Sequence, residues 1–273
     1  MHMDNLVYHY TNMNAFVGII GGNNNDSNTA ANLTFWGTRY DSMNDPQDYI
    51  FASRVVLPKF KKAIENMNSL TEEETEDVES FSYIVSFSEN RDSEFMWKHY
   101  KAEICLELDS SLFSPWTAKE EKINGFWDKC EYAEESDIDD VFFEKWRKSK
   151  VYLKNLNDMA RHACVYIKRK AFEPEKEWRL YMADGALSHF KSNGESCKME
   201  QPQDVKVKYI RDNDIIFYKE FVLPSQALKG IIVNDRDWDH FQKVKKHIEV
   251  LLRKRGFFPE DITIKQTNCY PLE

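Results

Sequence analysis

The segment Glu173-Pro174-Glu175-Lys176-Glu177-Trp178-Arg179-Leu180-Tyr181-Met182 alternates polar and apolar residues from Glu177 onward. This alternation, with its period of two, predicts a half-buried β-strand. Alternate side chains then fall on two faces, with Trp178, Leu180 and Met182 toward a core and Glu175, Glu177, Arg179 and Tyr181 on the opposite face. Three charges and a phenol on one strand face are typical of either a solvated surface or one wall of a cleft.

Length and composition predict an ordered globular protein. The chain has 273 residues, of which 42% are hydrophobic and 14% aromatic, and this is enough for a substantial core. The simplest interpretation is a single domain that spans residues 1–273. The formal net charge of -9 disfavours the binding of nucleic-acid phosphates as the main activity.

Cysteine usage and hydropathy predict the compartment. Five cysteines occur without a CxxC pair, which is typical of a reducing cytoplasm rather than of a disulfide framework. The first residues contain no basic region followed by an apolar run, and the chain nowhere has about 18 consecutive apolar residues. We therefore expect a soluble, cytoplasmic protein with no membrane partner.

Strand and helix patterns are distributed along the whole chain. Runs rich in β-branched and aromatic residues predict strands at Leu6–Tyr10, Leu33–Trp36, Tyr83–Ser88, Ile104–Leu108, Trp127–Ala133, Val205–Ile210, Ile215–Leu223, Gly230–Val233 and Ile262–Ile264. Apolar stripes and capping residues predict helices at Met13–Ile20 (capped by Thr11), Tyr49–Met67, from Thr71, and at Glu94–Tyr100, Asp137–Lys168 and Trp238–Arg255. Gly256 follows the last helix where a left-handed cap belongs. This mixture predicts an α+β fold of mixed, mostly antiparallel sheets flanked by helices.

The common catalytic and metal-binding signatures are missing from the chain. It contains no Gly-rich phosphate loop and no HExxH, GxSxG or Cys-His nucleophile motif. Its seven histidines lack the spacing of metal ligands, and both His99 and His162 have aromatic or apolar neighbours. A zinc hydrolase is therefore disfavoured, and we expect no metal.

Polar side chains on predicted strand faces and turns form the remaining candidate site. They comprise His9 and Thr11 in the first strand, Thr38 and Tyr40 after the second, Ser86 and Ser88, and the group Glu175, Glu177 and Arg179. A structural interpretation competes with a functional one, because a histidine on a core-facing strand is often a satisfied core residue and Glu-x-Arg is often a simple ion pair. The residue types alone leave both interpretations open.

Five sequence blocks together resemble an uncharacterised family of bacterial and phage proteins, the domain of unknown function numbered twenty-nine seventy-one. In chain order the blocks are Val7-Tyr8-His9-Tyr10-Thr11, Asn44-Asp45-Pro46, Ser86-Phe87-Ser88, Met96-Trp97-Lys98-His99-Tyr100 and Glu175-Lys176-Glu177-Trp178-Arg179. The resemblance extends from about Leu6 to Pro271. It brings no established activity.

A second resemblance does suggest an activity. The aromatic-His-x-Thr pattern that ends at Thr11 is similar to the His-Gly-Ser/Thr motif of ADP-ribosyltransferases of the diphtheria-toxin and poly(ADP-ribose) polymerase type. The segment from Phe35 to Tyr49 resembles their second motif, an aromatic strand followed at a distance by a tyrosine. Glu175-x-Glu177 resembles their late glutamate strand in its paired form. The resemblance implies a split β core of the ADP-ribosyltransferase type, with NAD as the substrate.

The same resemblance implies roles for individual residues. His9 would bond the adenosine ribose of NAD with the assistance of Thr11, and Glu177 would be the catalytic carboxylate. Tyr40 or Tyr49 would stack on the nicotinamide ring, and Tyr10 stands where those enzymes usually have a glycine that contacts the nicotinamide carboxamide. The remaining residues of the implied nucleotide site are Thr38 and Arg179.

The chemistry explains why these residue types are needed. Cleavage of the nicotinamide–ribose bond develops positive charge on the sugar, as glycoside hydrolysis does. A fixed carboxylate such as Glu177 stabilises that charge, and one preorganised group of this kind contributes roughly 3 kcal/mol or more. An aromatic ring holds the flat nicotinamide. A second carboxylate, Glu175, orients or deprotonates the acceptor nucleophile.

Three functions therefore stay open. The first is an NAD-consuming enzyme of bacterial conflict, phage defence or toxicity, either a mono-ADP-ribosyltransferase with an unknown macromolecular acceptor or an NAD glycohydrolase. The second is a noncatalytic sensor that binds a nucleotide or a partner. The third is a nuclease in which Asp45, Glu175 and Glu177 hold a magnesium ion.

Overall fold

A computed structural model describes residues 5–21, 31–43, 50–56, 58, 81–113, 125–142, 164–184, 189–190, 196–197, 205–209 and 215–269. The predicted helix from Thr71, the turn Asn44-Asp45-Pro46 and much of the predicted helix Tyr49–Met67 lie outside these ranges, although residues 50–56 are helical. Strands and helices are both present, and most strand pairs are antiparallel. The predicted α+β class with a mixed, mostly antiparallel sheet is confirmed.

One ten-stranded sheet dominates the described part of the protein. In chain order its strands are β1 (Leu6–Thr11), β2 (Asn32–Arg39), β3 (Phe81–Ser88), β4 (Ile104–Asp109), β5 (Gly125–Lys129), β8 (Glu177–Asp184), β11 (Lys206–Tyr209), β12 (Ile215–Pro224), β13 (Leu228–Val233) and β14 (Thr263–Gln266). Two small sheets pair β6 (Glu131–Ala133) with β7 (Ile167–Arg169) and β9 (His189–Phe190) with β10 (Ser196–Cys197). The main sheet runs β11-β12-β2-β3-β1-β4-β13-β14, and β8 and β5 extend it from the other edge of β3.

Three helices have complete bounds, namely α1 (Met13–Ile20), α2 (Glu94–Tyr100) and α3 (Trp238–Lys254). Asn12, rather than the predicted Thr11, caps α1, because its side-chain oxygen accepts from the Ala15 amide at 2.8 Å. Gly256 has φ +78 after α3, which confirms the predicted left-handed position. Among the described residues, no helix is long and apolar enough to cross a membrane.

The predicted long helix Asp137–Lys168 is wrong at its C-terminal end. Residues 138–142 are helical, but Ile167–Arg169 form strand β7, which pairs in parallel with β6. The predicted strand Trp127–Ala133 is divided at Cys130 between β5 and β6. The apolar stripe predicted a helix here because a buried residue such as Ile167 fits the pattern of a helix as well as that of a buried strand.

The two faces of β8 follow the predicted alternation, and both are buried. Leu180 and Met182 lie in the main apolar core, and Trp178 packs against it. Across the ladder with β3, Glu177 lies opposite Ser88 and Arg179 opposite Ser86. Both charged side chains are nevertheless almost fully buried. The polar face of this strand is therefore an internal wall, and the alternative of a solvated surface is wrong.

A gap along one edge of β3 shapes the sheet. β2 pairs with β3 only at Tyr83 and Ile84, and β1 pairs with it only at Ser88. Since β8 occupies the other edge along its whole length, no described strand pairs with residues 85–87 on this side. The halves of the sheet that contain β1 and β2 separate at this point.

Two glycine substitutions test the packing around β2. A methyl group on Gly37 would overlap the ring of the fully buried Phe221, whereas one on Gly18, in the exposed part of α1, would meet no atom within 4 Å. We expect Gly37→Ala to lower the free energy of unfolding by about 1–3 kcal/mol through overpacking. Gly18→Ala should raise it by up to about 1 kcal/mol through helix propensity. Urea unfolding of both variants measures the two signs, and a Gly37→Ala protein as stable as the wild type would contradict this packing.

Candidate active site

A cavity of about 680 Å³ lies against the gap in the sheet. Residues 84–87 of β3 line it, together with Tyr8, His9 and Tyr10 of β1 and Trp36 and Thr38 of β2. This volume lies within the range of roughly 300–1,000 Å³ that small-molecule sites occupy. The unpaired edge of β3 thus borders a space large enough for a nucleotide-sized ligand.

His9 fills the gap between β1 and β3. Its Nδ1 is 2.9 Å from the carbonyl oxygen of Ser86, and its ring packs edge-on against Phe35 with centroids 5.1 Å apart. Burial lowers the pKa of His9, although the bond to Ser86 partly opposes this shift. Because a carbonyl only accepts, the neutral ring carries its proton on Nδ1 and leaves Nε2 as an acceptor. His9 therefore closes the sheet and also lines the cavity.

Four buried charged side chains meet at the wall of the same cavity. The ammonium of Lys168 donates to Glu175 Oε2 at 2.7 Å and also bonds Glu177 Oε2. Arg179 Nε donates to Glu177 Oε1 at 2.8 Å, and its Nη1 bonds the Val165 carbonyl. All four side chains are at most 4% exposed. The cluster balances two carboxylates with two cations, which is the condition for burying charges at a tolerable cost.

The local chain path brings the two carboxylates together. Glu175 does not extend the β8 strand as predicted, because it ends a 3₁₀ helix, Lys170–Glu175. Lys176 then adopts the left-handed region with φ 44 and turns the chain into β8 at Glu177. Lys168 reaches both carboxylates from β7, whose neighbour β6 contributes the Tyr132 hydroxyl, an acceptor for the Glu177 amide at 2.7 Å.

The pKa values of the two carboxyl groups shift in opposite directions. Burial opposes ionisation of Glu177, but Arg179 and Lys168 outweigh it and hold the pKa of Glu177 well below its usual range. Burial raises the pKa of Glu175, the nearby Glu177 charge adds to this shift, and Lys168 opposes it only in part. Such a divergence between neighbouring carboxyl groups is how enzymes separate acid and base roles.

One oxygen of Glu175 is buried without a hydrogen bond. Among the described residues, no donor reaches Oε1 of Glu175 within hydrogen-bond distance. Nε2 of His99 lies 3.7 Å from this oxygen, and the His99 side chain is 41% exposed. Glu175 and His99 both line the cavity. A buried carboxylate oxygen of this kind is costly unless a ligand or a proton satisfies it.

Most of the candidate site residues predicted from the sequence line the cavity. It is lined by His9, Tyr10, Thr38, Glu175, Glu177 and Arg179. Thr11 and Tyr40 are not among the lining residues, and Tyr40 packs instead with Ile84 and Val165. Tyr49 and His162 lie outside the described residues. Ser86 also lines the cavity, and Ser88 donates to the carbonyl of Glu175 at 2.6 Å.

Sequence reasoning missed three residues of this site. The sequence places Lys168 at the end of a predicted helix and Trp36 in a predicted strand. It presents His99 as a disfavoured metal ligand and as part of one family block. All three line the cavity. The spacing of Lys168 ahead of the paired glutamates carries no signal of its own, because the contact depends on the β6–β7 pairing.

The geometry argues against the magnesium interpretation of these carboxylates. The Lys168 ammonium lies between Glu175 and Glu177, in the position that a shared cation would need. Within the described ranges, no group of three or more His, Cys, Asp or Glu side chains is placed to hold a metal ion. Asp45, the third predicted ligand, lies outside those ranges.

The opposite pKa shifts predict opposite effects of two isosteric substitutions on stability. A lowered folded-state pKa means that Glu177 stabilises the fold above its unfolded pKa and loses this effect as the pH falls through the folded value. A raised pKa means that ionised Glu175 destabilises the fold at higher pH. At neutral pH, Glu177→Gln should lower the free energy of unfolding by about 3–5 kcal/mol, whereas Glu175→Gln should leave it unchanged or raise it. Denaturant unfolding at several pH values measures both, and equal losses for the two variants would exclude the asymmetry.

Comparison with family models, with curated proteins and with solved structures found no match for this chain.

Proposed function

We propose that this protein is an NAD-consuming enzyme that cleaves the nicotinamide–ribose bond, in the manner of ADP-ribosyltransferases. The observation that carries the proposal is the pair Glu175 and Glu177, two buried carboxyl groups with diverging pKa values at the wall of a cavity that His9 also lines. Bond cleavage at a sugar needs one fixed carboxylate and one group that exchanges a proton.

The lining of the cavity suits the parts of a dinucleotide. The Nε2 acceptor of His9 is matched to a ribose hydroxyl, which is the role proposed for this residue. Aromatic side chains offer surfaces for flat rings, and they include Tyr8, Tyr10, Trp36, Tyr100 and Phe172. Since Tyr40 does not line the cavity, one of these rings is the better candidate to stack on nicotinamide. The separation of β1 from β2 supports the proposal of a split core of the ADP-ribosyltransferase type.

The proposed mechanism assigns a different role to each carboxyl group. Arg179 and Lys168 keep Glu177 ionised, so its negative charge stabilises the positive charge that develops on the ribose. Nicotinamide departs as a neutral molecule and takes the bonding electron pair to its ring nitrogen. Glu175 accepts the proton of the attacking hydroxyl, for which a raised pKa makes it a stronger base. The acceptor is water or a macromolecule, and membership of the bacterial and phage family, with a role in conflict or defence, remains part of the proposal.

A second candidate function is a noncatalytic nucleotide-binding sensor module. The observation that favours it is the engagement of both Glu177 oxygens, one by Lys168 and the other by Arg179, in a cluster that is shielded from solvent. A carboxylate bonded in this way serves as a structural ion pair as readily as it serves chemistry. In this case the cavity binds NAD or a related nucleotide without turnover.

Nicotinamide release by purified protein separates the two functions. We expect Glu177→Gln to reduce the rate of release by about 10²–10³-fold, because it removes the charge that stabilises the transition state. Glu107→Gln is the matched control, since Glu107 is a second buried glutamate on the same sheet that pairs with Arg91 and does not line the cavity. If the wild type binds NAD but releases no nicotinamide, the sensor function replaces the enzyme.

The pH dependence of release tests the role of Glu175. As a base, Glu175 must be ionised, so activity should fall as the pH drops through its raised pKa, above the ordinary glutamate value of about 4.3. Glu177 remains ionised through this range because its pKa is lowered, and its titration therefore does not cause the fall in activity at low pH. In the wild type, we expect kcat/KM to fall at low pH. In Glu175→Gln, we expect most of the activity to be lost and the remaining activity to show no such fall. An acid limb that persists in Glu175→Gln assigns the titration to another group.

A further inference from the structure

We infer that His99 is the proton exit of this site, a relay residue that takes the proton from Glu175 and passes it to solvent. The inference rests on the proposed function and extends it to a side chain outside the two-carboxylate cluster. His99 occupies the last turn of α2 and lines the cavity. It lies near Oε1 of Glu175, whereas Lys168 bonds Oε2.

The geometry links a buried oxygen to an exposed ring. Oε1 of Glu175 has no hydrogen bond from any described residue, and His99 Nε2 is 3.7 Å from it. The Glu175 side chain is 2% exposed, whereas that of His99 is 41% exposed. Catalytic contacts are often long in an unliganded enzyme and shorten when substrate binds. The imidazole is therefore placed to connect the carboxyl group with water.

Aromatic neighbours hold the imidazole in this position. The ring of His99 stacks on Phe95 of the same helix, with centroids 5.3 Å apart and planes 8° apart. The rings of Tyr100 and Phe172 contact it edge-on, at 4.8 and 5.9 Å. His99 also lies in the last turn of α2, the end at which the dipole of a helix favours positive charge.

The reaction produces one proton that has to leave the buried site. The bond between ribose C1 and the nicotinamide nitrogen breaks, and its electron pair stays on nicotinamide. The acceptor oxygen forms the new bond to C1, and its proton passes to Glu175. Transfer of that proton from Glu175 to His99 Nε2, and then from the imidazolium to water, restores Glu175 for the next turnover.

The other groups around Glu175 are poor proton carriers. From β7, Lys168 bonds both carboxylates as an ammonium, and from β8, Arg179 holds Glu177 ionised. Burial raises the pKa of Tyr100, and the charge of Glu177 raises it further, so this phenol does not exchange its proton near neutral pH. Imidazole is the side-chain group that ordinarily gains and loses a proton between pH 5 and 8. His99 is therefore the suitable carrier among the groups that face Glu175 in the described structure.

The test compares His99→Ala and His99→Gln with His240→Gln, an exposed histidine of α3 that pairs with Asp235. We expect both His99 variants to release nicotinamide about 10–100-fold more slowly than the wild type. Added imidazole should restore His99→Ala, which leaves space for it, and should not restore His99→Gln. The His240→Gln protein should match the wild type, and thermal unfolding of all variants shows whether they are folded.

The possible results separate the relay from the proposed function. Rates of both His99 variants equal to that of the wild type, with Glu177→Gln inactive, would overturn the relay and leave the enzyme intact. Slow release by a folded His99→Ala protein that imidazole does not restore would also overturn it, because a structural loss is not rescued by a proton carrier. If His99→Ala does not fold, a folded His99→Gln with the wild-type rate and pH profile overturns the relay. No release by the wild type removes the enzyme and the relay together.

Discussion

The bridge that the Lys168 ammonium makes between Glu175 and Glu177 is the interaction on which the candidate site depends. Each charged group taken from water into a protein interior costs several kcal/mol, so the cluster exists only because the charges satisfy one another. The sharing is unequal. Glu177 accepts from Lys168 and Arg179 on its two oxygens, whereas Glu175 accepts from Lys168 at Oε2 and has no donor within hydrogen-bond distance of Oε1 among the described residues. This inequality, rather than burial itself, separates the two pKa values.

The gap in the sheet gives this cluster access to a ligand. If β1 and β2 both followed β3 closely, residues 85–87 would be sealed in a continuous ladder. Instead His9 bonds the Ser86 carbonyl and so satisfies a backbone group that the missing pairs would leave without a partner. The price of opening the sheet is thereby reduced, and the opening becomes part of a cavity. The imidazole of His9 therefore has two roles, a hydrogen bond that completes the sheet and the proposed contact with a ligand.

Local periodicity predicted the strands of the main sheet and the last helix, but not the small strands β7, β9 and β10 or the contacts between distant segments. The alternation in β8 correctly assigned its two faces, and Gly256 correctly marked the end of α3. Glu175 was placed on the strand because spacing alone does not reveal the left-handed turn at Lys176. Lys168 was not predicted as a site residue, because its strand is defined by pairing with β6, which is distant in the sequence. The orientation of His99 toward Glu175 likewise depends on how α2 packs against the 3₁₀ helix.

The most direct measurement is a carbon-13 NMR titration of the glutamate carboxyl groups in the wild-type protein, with the resonances assigned through Glu175→Gln and Glu177→Gln. We expect the Glu175 resonance to titrate above the ordinary range for glutamate, while the Glu177 resonance stays that of an ionised carboxylate into strongly acidic solution. Titration of both groups together near the ordinary value would contradict the unequal pair, and with it the division of roles on which the proposed chemistry rests.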